Sequence, residues 1–221
     1  MSEEQGTFMD QKEFMKRMKA IASDLWGGVA PGQDEAAPVP EEKEKPVPQA
    51  EGKPKTDIPS LWKTADETID WTDALAHSTP TDGLTGPHMW SFYHKHAEKV
   101  LAGDLAAYTE VLQKANPLGE LTEYADNITM QAPSPDRLES HFICKKELMK
   151  KDRKLYLAAM GLRIARDLLA CLPVEEVNVI GEHDGKTVMQ VTYRREQLLH
   201  RNFRFLDPVK LTEECGGKFD L

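Results

Sequence analysis

Residues 150–172, KKDRKLYLAAMGLRIARDLLACL, constrain the fold of this chain more than any other stretch. Leu155, Leu162 and Leu169 recur every seven residues, and Leu157, Ile164, Leu168 and Cys171 fill the neighbouring rows. Apolar side chains thus cover most of the circumference of the helix that this spacing predicts. A helix wanted on two flanks needs a layer on each. Only one narrow stripe is expected to escape burial: Asp152, Tyr156, Ala159, Arg163, Arg166 and Ala170.

The flanking sequence supplies candidate layers. Before the helix, Pro87 at a first helical turn opens a helix through Met89, Phe92, Tyr93, His96 and Val100 that Gly103 ends. Asp104 then caps a second through Tyr108, Val111 and Leu112, closed by Asn116-Pro117, and this pair is the candidate far layer. Residues 127–132 and 137–144 read as strands around Pro133-Ser-Pro-Asp136. After the helix come a strand at 173–181 and another through Val188, Met189, Val191 and Tyr193. They are joined at His183-Asp-Gly-Lys186, where Asp-Gly is a strong signal for a tight hairpin. Residues 195–202 read as a short helix, Phe203 and Phe205 as core plugs, and Asp207-Pro208 as the start of a last helix. The expected fold is α+β: a four-stranded antiparallel or mixed sheet in the order ββαββα, packed on the long central helix, with the preceding helices on its other side.

That domain is expected over 86–221, and the chain in front of it divides into three. Residues 1–28 are expected to contain an amphipathic helix, with Phe14, Met18, Ile21 and Leu25 in one row, Trp26 beside it, and Gly27-Gly28 as the stop. Residues 29–57 carry six prolines among glutamates and lysines and no aromatic residue, a composition that predicts a disordered linker. Residues 58–85 hold Trp62, Ile69, Trp71 and Leu75 among acids and threonines and are expected to be weakly structured, with a short helix over 65–76.

Charge is uneven along the chain. The net charge of −9 comes from residues 1–126, where 23 acidic residues face 12 basic ones. An acidic chain has no general attraction to nucleic acid, but 137–204 is locally basic, with 14 Lys and Arg against 9 Asp and Glu. Within it, Arg163, Arg166, Arg194, Arg195, Arg201 and Arg204 are the candidate anion site, for phosphate, nucleic acid or an acidic segment. Ion pairing of Arg163 with Asp167 one turn on is the competing explanation. No aromatic residues interleave with these charges as a single-strand platform requires.

Templates for chemistry are missing. The chain has no GxSxG, P-loop, GxGxxG after a strand, HExxH or EF-hand loop, so no cofactor, metal or specific reaction is indicated. His94 and His96 fall on different helix faces, which disfavours a metal pair, and His141 and Cys144 fall on opposite faces of a strand, which disfavours a nucleophile pair. Cys144, Cys171 and Cys215 are widely spaced without a CxxC, so a reducing compartment and a cytoplasmic location are expected. The leading expectation is a non-catalytic, adaptor-like interaction protein that presents the helix face of Phe14, Met18, Ile21, Leu25 and Trp26 to a protein partner. The alternatives are a nucleic-acid-associated protein using the arginines and an enzyme with an unrecognised site.

Overall fold

A computed structural model describes residues 58–221 except His200. The helix expected within 1–28 and the linker expected over 29–57 lie outside the described residues. The predicted central helix is α4 (Arg153–Cys171), and it starts later than its lysine-rich front suggests. Cations at a helix start oppose the macrodipole. Lys150 accordingly ends a separate 3-10 turn, Leu148–Lys150, and Asp152 caps α4 by accepting the Leu155 N–H at 3.0 Å.

Five strands form one mixed sheet in the order β1-β2-β3-β4-β5: β1 (Ala125–Ser134), β2 (Arg137–Cys144), β3 (Glu176–His183), β4 (Lys186–Arg194) and β5 (Lys218–Phe219). The α+β class and the mixed sheet are as expected, and the count of four strands is corrected to five. Two residues are too few to display an alternation, so β5 was invisible to periodicity. All neighbouring pairs are antiparallel except β2 and β3, the pair that α4 connects. A parallel pair needs a long crossover, and α4 is that crossover.

The side of α4 with Leu157 and Gly161 lies on the sheet, where a Cβ added to Gly181 would come within 2.8 Å of Phe142 Cζ and 3.4 Å of Leu157. Glycine at 181 thus leaves room for the Phe142 ring of the neighbouring strand beneath the helix. The β3–β4 hairpin turns at Asp184 (φ 48°) and Gly185 (φ 74°), the pair of left-handed residues that a type I′ turn requires. Gly185→Ala is therefore expected to cost about 1 kcal/mol, read as a shift of the urea midpoint without a change of slope.

Most of the stripe expected to stay exposed is buried, although Asp152 is exposed and Arg166 half-buried. Tyr156 and Ala159 are fully covered, Arg163 is 5% exposed and Ala170 7%. The reason lies in the stretch with the weakest sequence signal: the 3-10 turn Ile58–Lys63 and the residues after it lie along this side of α4. Ile58, Leu61, Trp62 and Trp71 join the main core. α6 (Pro208–Glu214) also packs on α4. The expected far layer, α2 (Pro87–Leu101) and α3 (Leu105–Ala115), instead packs mostly against α1 (Trp71–Ala76) and β1, with only a light contact from α3 to α4. Phe203 is half-buried as a plug, but Phe205 is 88% exposed and plugs nothing. The helix expected over 195–202 is a single turn, α5 (Arg195–Leu198).

Candidate functional site

The six arginines singled out from the sequence do not converge. Arg163 and Arg166, on the covered side of α4, both hold the strap formed by residues 58–70. Arg163 Nε donates to Asp167 Oδ2 at 2.5 Å and Nη1 donates to Thr64 Oγ1 at 2.6 Å, while Nη2 lies 3.7 Å from Asp66 and 3.6 Å from Glu120. Asp167, with no exposed surface, accepts in addition the backbone N–H of Asp66 at 2.9 Å. Arg166 Nη1 donates to the carbonyls of Trp62 and Thr64, and its guanidinium stacks 3.8 Å from the centre of the Phe203 ring. Two further bonds extend the seam: Ile69 N–H to Ala170 O and Trp71 Nε1–H to Cys171 O.

Arg195 does a similar task at the C-terminal end of α4, where it lines a small cleft together with Arg166. Nε donates to Val174 O, and Nη2 donates to both Leu169 O and Leu172 O, each at 2.8 Å. A helix end leaves its last carbonyls without intrahelical partners, and here one guanidinium serves them. The remaining three arginines are exposed. Arg194 lies 3.7 Å from Glu176, Arg201 lies 3.7 Å from Glu214 and donates to Gln197 O at 3.2 Å, and Arg204 sits on the loop before α6.

Burial sets the electrostatics of the seam. Desolvation raises the Asp167 carboxyl to about 6, against the lowering effect of Arg163 and of the Asp66 N–H. Asp66 is raised for the same first reason, and desolvation lowers Arg166 and Arg195. Attraction within the Arg163–Asp167 pair thus offsets only part of what burying the carboxylate costs, the usual balance for an interior ion pair. Arg163 opens on a cleft of about 530 Å³ lined by Leu61, Thr64, Glu120 and Thr122 among others. Asp66, Glu120 and Asp167 surround its guanidinium, so the cleft does not present an uncompensated positive charge to an anion.

A second polar constellation lies across the sheet and was not anticipated. Register places Gln131, Glu139, Asn178 and Thr192 in one row over β1 to β4. Glu139 accepts from Gln131 Nε2 at 2.8 Å, from Asn178 Nδ2 at 3.0 Å and from His141 Nε2 at 3.0 Å, and Thr192 Oγ1 donates to Asn178 Oδ1 at 3.3 Å. The Glu139 carboxyl is held below its usual range: burial raises it, but the bonds from His141, Asn178 and Gln131 together outweigh burial. The signal was the outward alternation of Glu139 and His141 along β2, but pairing partners on other strands cannot be read from one strand.

The remaining candidates sit in structural roles. His94 Nδ1–H donates to Ala74 O at 2.7 Å, and His96, 7% exposed, has Phe92 O 2.8 Å from Nδ1 and Glu110 2.7 Å from Nε2. Cys144 and Cys171 are buried, and desolvation, aided by nearby carboxylates, pushes both thiols up to about 12. They are protonated at neutral pH and poor nucleophiles. Among the described residues no group of three or more His, Cys, Asp or Glu is placed to hold a metal, and no helix is long and apolar enough to cross a membrane. Set against protein-family models, curated proteins and solved structures, the chain matches none.

Proposed function

We propose that this chain is a non-catalytic, adaptor-like interaction protein whose α+β domain carries residues 7–26 as an amphipathic helical ligand for a groove on a protein partner. The observation that carries this reading is the apolar row Phe14, Met18, Ile21 and Leu25 with Trp26 beside it, and another side bearing Lys12, Glu13, Lys16, Arg17 and Lys19. Anchors spaced i, i+4, i+7 and i+11 are how a helix fills a hydrophobic groove. The proline-rich composition of 29–57 suits a spacer, which raises the effective concentration of the ligand near whatever the domain meets. The occupied donors of Arg163, Arg166 and Arg195 weigh against the alternative of a nucleic-acid-associated protein, because those groups already serve the fold.

Affinity capture with the full chain, an Ile21→Asp variant and a chain lacking residues 1–28 tests the proposal. A carboxylate placed in the apolar row is expected to weaken capture of the partner about tenfold or more, with thermal stability unchanged. Equal capture by all three sinks the reading. A large fall in stability on deleting 1–28 would instead show that the segment supports its own domain.

A further inference from the structure

We infer that β1 is a self-pairing edge, through which two copies of this chain join their sheets antiparallel across a two-fold axis. In the strand order β1 is terminal, and among the described residues its one neighbour is β2. A ten-residue edge strand offers a row of backbone donors and acceptors, and proteins ordinarily blunt such edges with lysine, proline, bulges or brevity.

The two edges of this sheet are treated differently. At the far side β5 is only two residues long, and Asp220 N–H donates to Val188 O beside it. On β1 the blunting devices fall at the ends. Register shifts interrupt the pairing between Ala125 and Asn127 and between Gln131 and Ser134, and Asp126 and Pro133 lie within those interruptions. Between them, Asn127, Ile128, Thr129, Met130 and Gln131 pair without a break with Ile143 through Glu139. This central run carries no charge and no proline.

The side chains fit a second copy of the same strand. Ile128, Met130 and Ala132 turn to the core, whereas Asn127, Thr129 and Gln131 are exposed. A continuous sheet keeps each set on its own face, so the two-fold axis passes at a residue, and centring it on the uncharged run puts it at Thr129 or at Met130. In the first register Thr129 meets its own copy, Asn127 meets Gln131 and Ile128 meets Met130. In the second Thr129 meets Gln131 and Ile128 meets Ala132. Both put apolar against apolar and uncharged polar against uncharged polar, and neither opposes two like charges, the condition for favourable cross-strand pairs. A strand from a different chain would need its own matching pattern, which this uncharged run does nothing to select.

The test measures the mass of the full chain in solution across a hundredfold concentration range, beside the variant T129K/Q131K. Both positions are exposed, so the fold is retained, which circular dichroism checks. In either register the double substitution sets ammonium groups opposite each other. The expected result is a species of twice 24.9 kDa for the natural chain at the upper concentrations and a monomer for the variant, with exchange protection of the 127–131 amides rising with concentration in the former only. A natural chain that stays monomeric throughout overturns the inference. So does a dimer that the double substitution leaves intact, since association would then run through another surface.

Discussion

Asp167→Ala is expected to lower the unfolding free energy by about 2–4 kcal/mol, because it takes the nearest partner from the buried Arg163 guanidinium, leaving it Thr64 and the more distant Asp66 and Glu120, and removes the acceptor of the Asp66 N–H. At this chain length each kcal/mol corresponds to a fall in melting temperature of roughly 2–4 °C. Since desolvation already works against the pair, the double variant R163M/D167L is expected to lie closer to the natural chain than Asp167→Ala does. Urea denaturation of the three proteins decides the matter: a single variant within about 1 kcal/mol of the natural chain would mean that the strap is not held through this pair.

The same carboxyl gives a pH signature. Its folded-state value, about 6, lies above the ordinary 3.8, so between these values the folded chain binds more protons than the unfolded chain. Stability therefore falls as pH rises wherever the folded state holds the extra proton. The contribution of Asp167 is complete below about pH 4 and is lost as pH rises through about 6. Measured as the stability of the natural chain minus that of Asp167→Asn, the difference should decline between pH 4 and 6 and level off above. A difference that rises over this interval contradicts the assignment.

The second large effect is expected at Arg195, where Arg195→Ala removes three charge-assisted bonds and leaves the carbonyls of Leu169, Leu172 and Val174 without that donor. A loss of about 3 kcal/mol follows from the usual cost of such vacancies. Arg195→Lys is expected to recover little of it. A compact ammonium on a flexible stem cannot serve three carbonyls that the planar fork reaches from two of its nitrogens. Full recovery by lysine would show that charge near the helix end, rather than the directed bonds, is what α4 requires.

Both effects concern residues that the sequence marked for a different reason. A cluster of arginines in 163–204 reads as an anion site because charge counts along a chain carry no information about what lies across the fold. Arg163 with Asp167 one turn later was legible as an intrahelical pair. That the pair is buried and holds Thr64 and Asp66, some hundred residues earlier in the chain, was not. The strap has little periodicity to announce it: its apolar residues are few and unevenly spaced, and their burial depends on folded α4 and, for Trp71, on Tyr93 of α2.

Local chemistry, by contrast, spoke for itself. The caps Asp104 and Asp207, Pro87 in a first turn and the Asp184-Gly185 hairpin are each specified by interactions within a few residues, and each stands where the residues place it, as does the central helix apart from its first turn. Such signals are short-range: a carboxylate satisfying two nearby N–H groups, or a left-handed turn favouring glycine, needs no distant partner. Tertiary structure alone decided the parallel pairing of β2 with β3, the fifth strand, the covering of the arginine stripe and the row of bonds around Glu139. Each of these is set by contact between segments far apart in sequence, where register and packing, not local preference, determine which side chains meet.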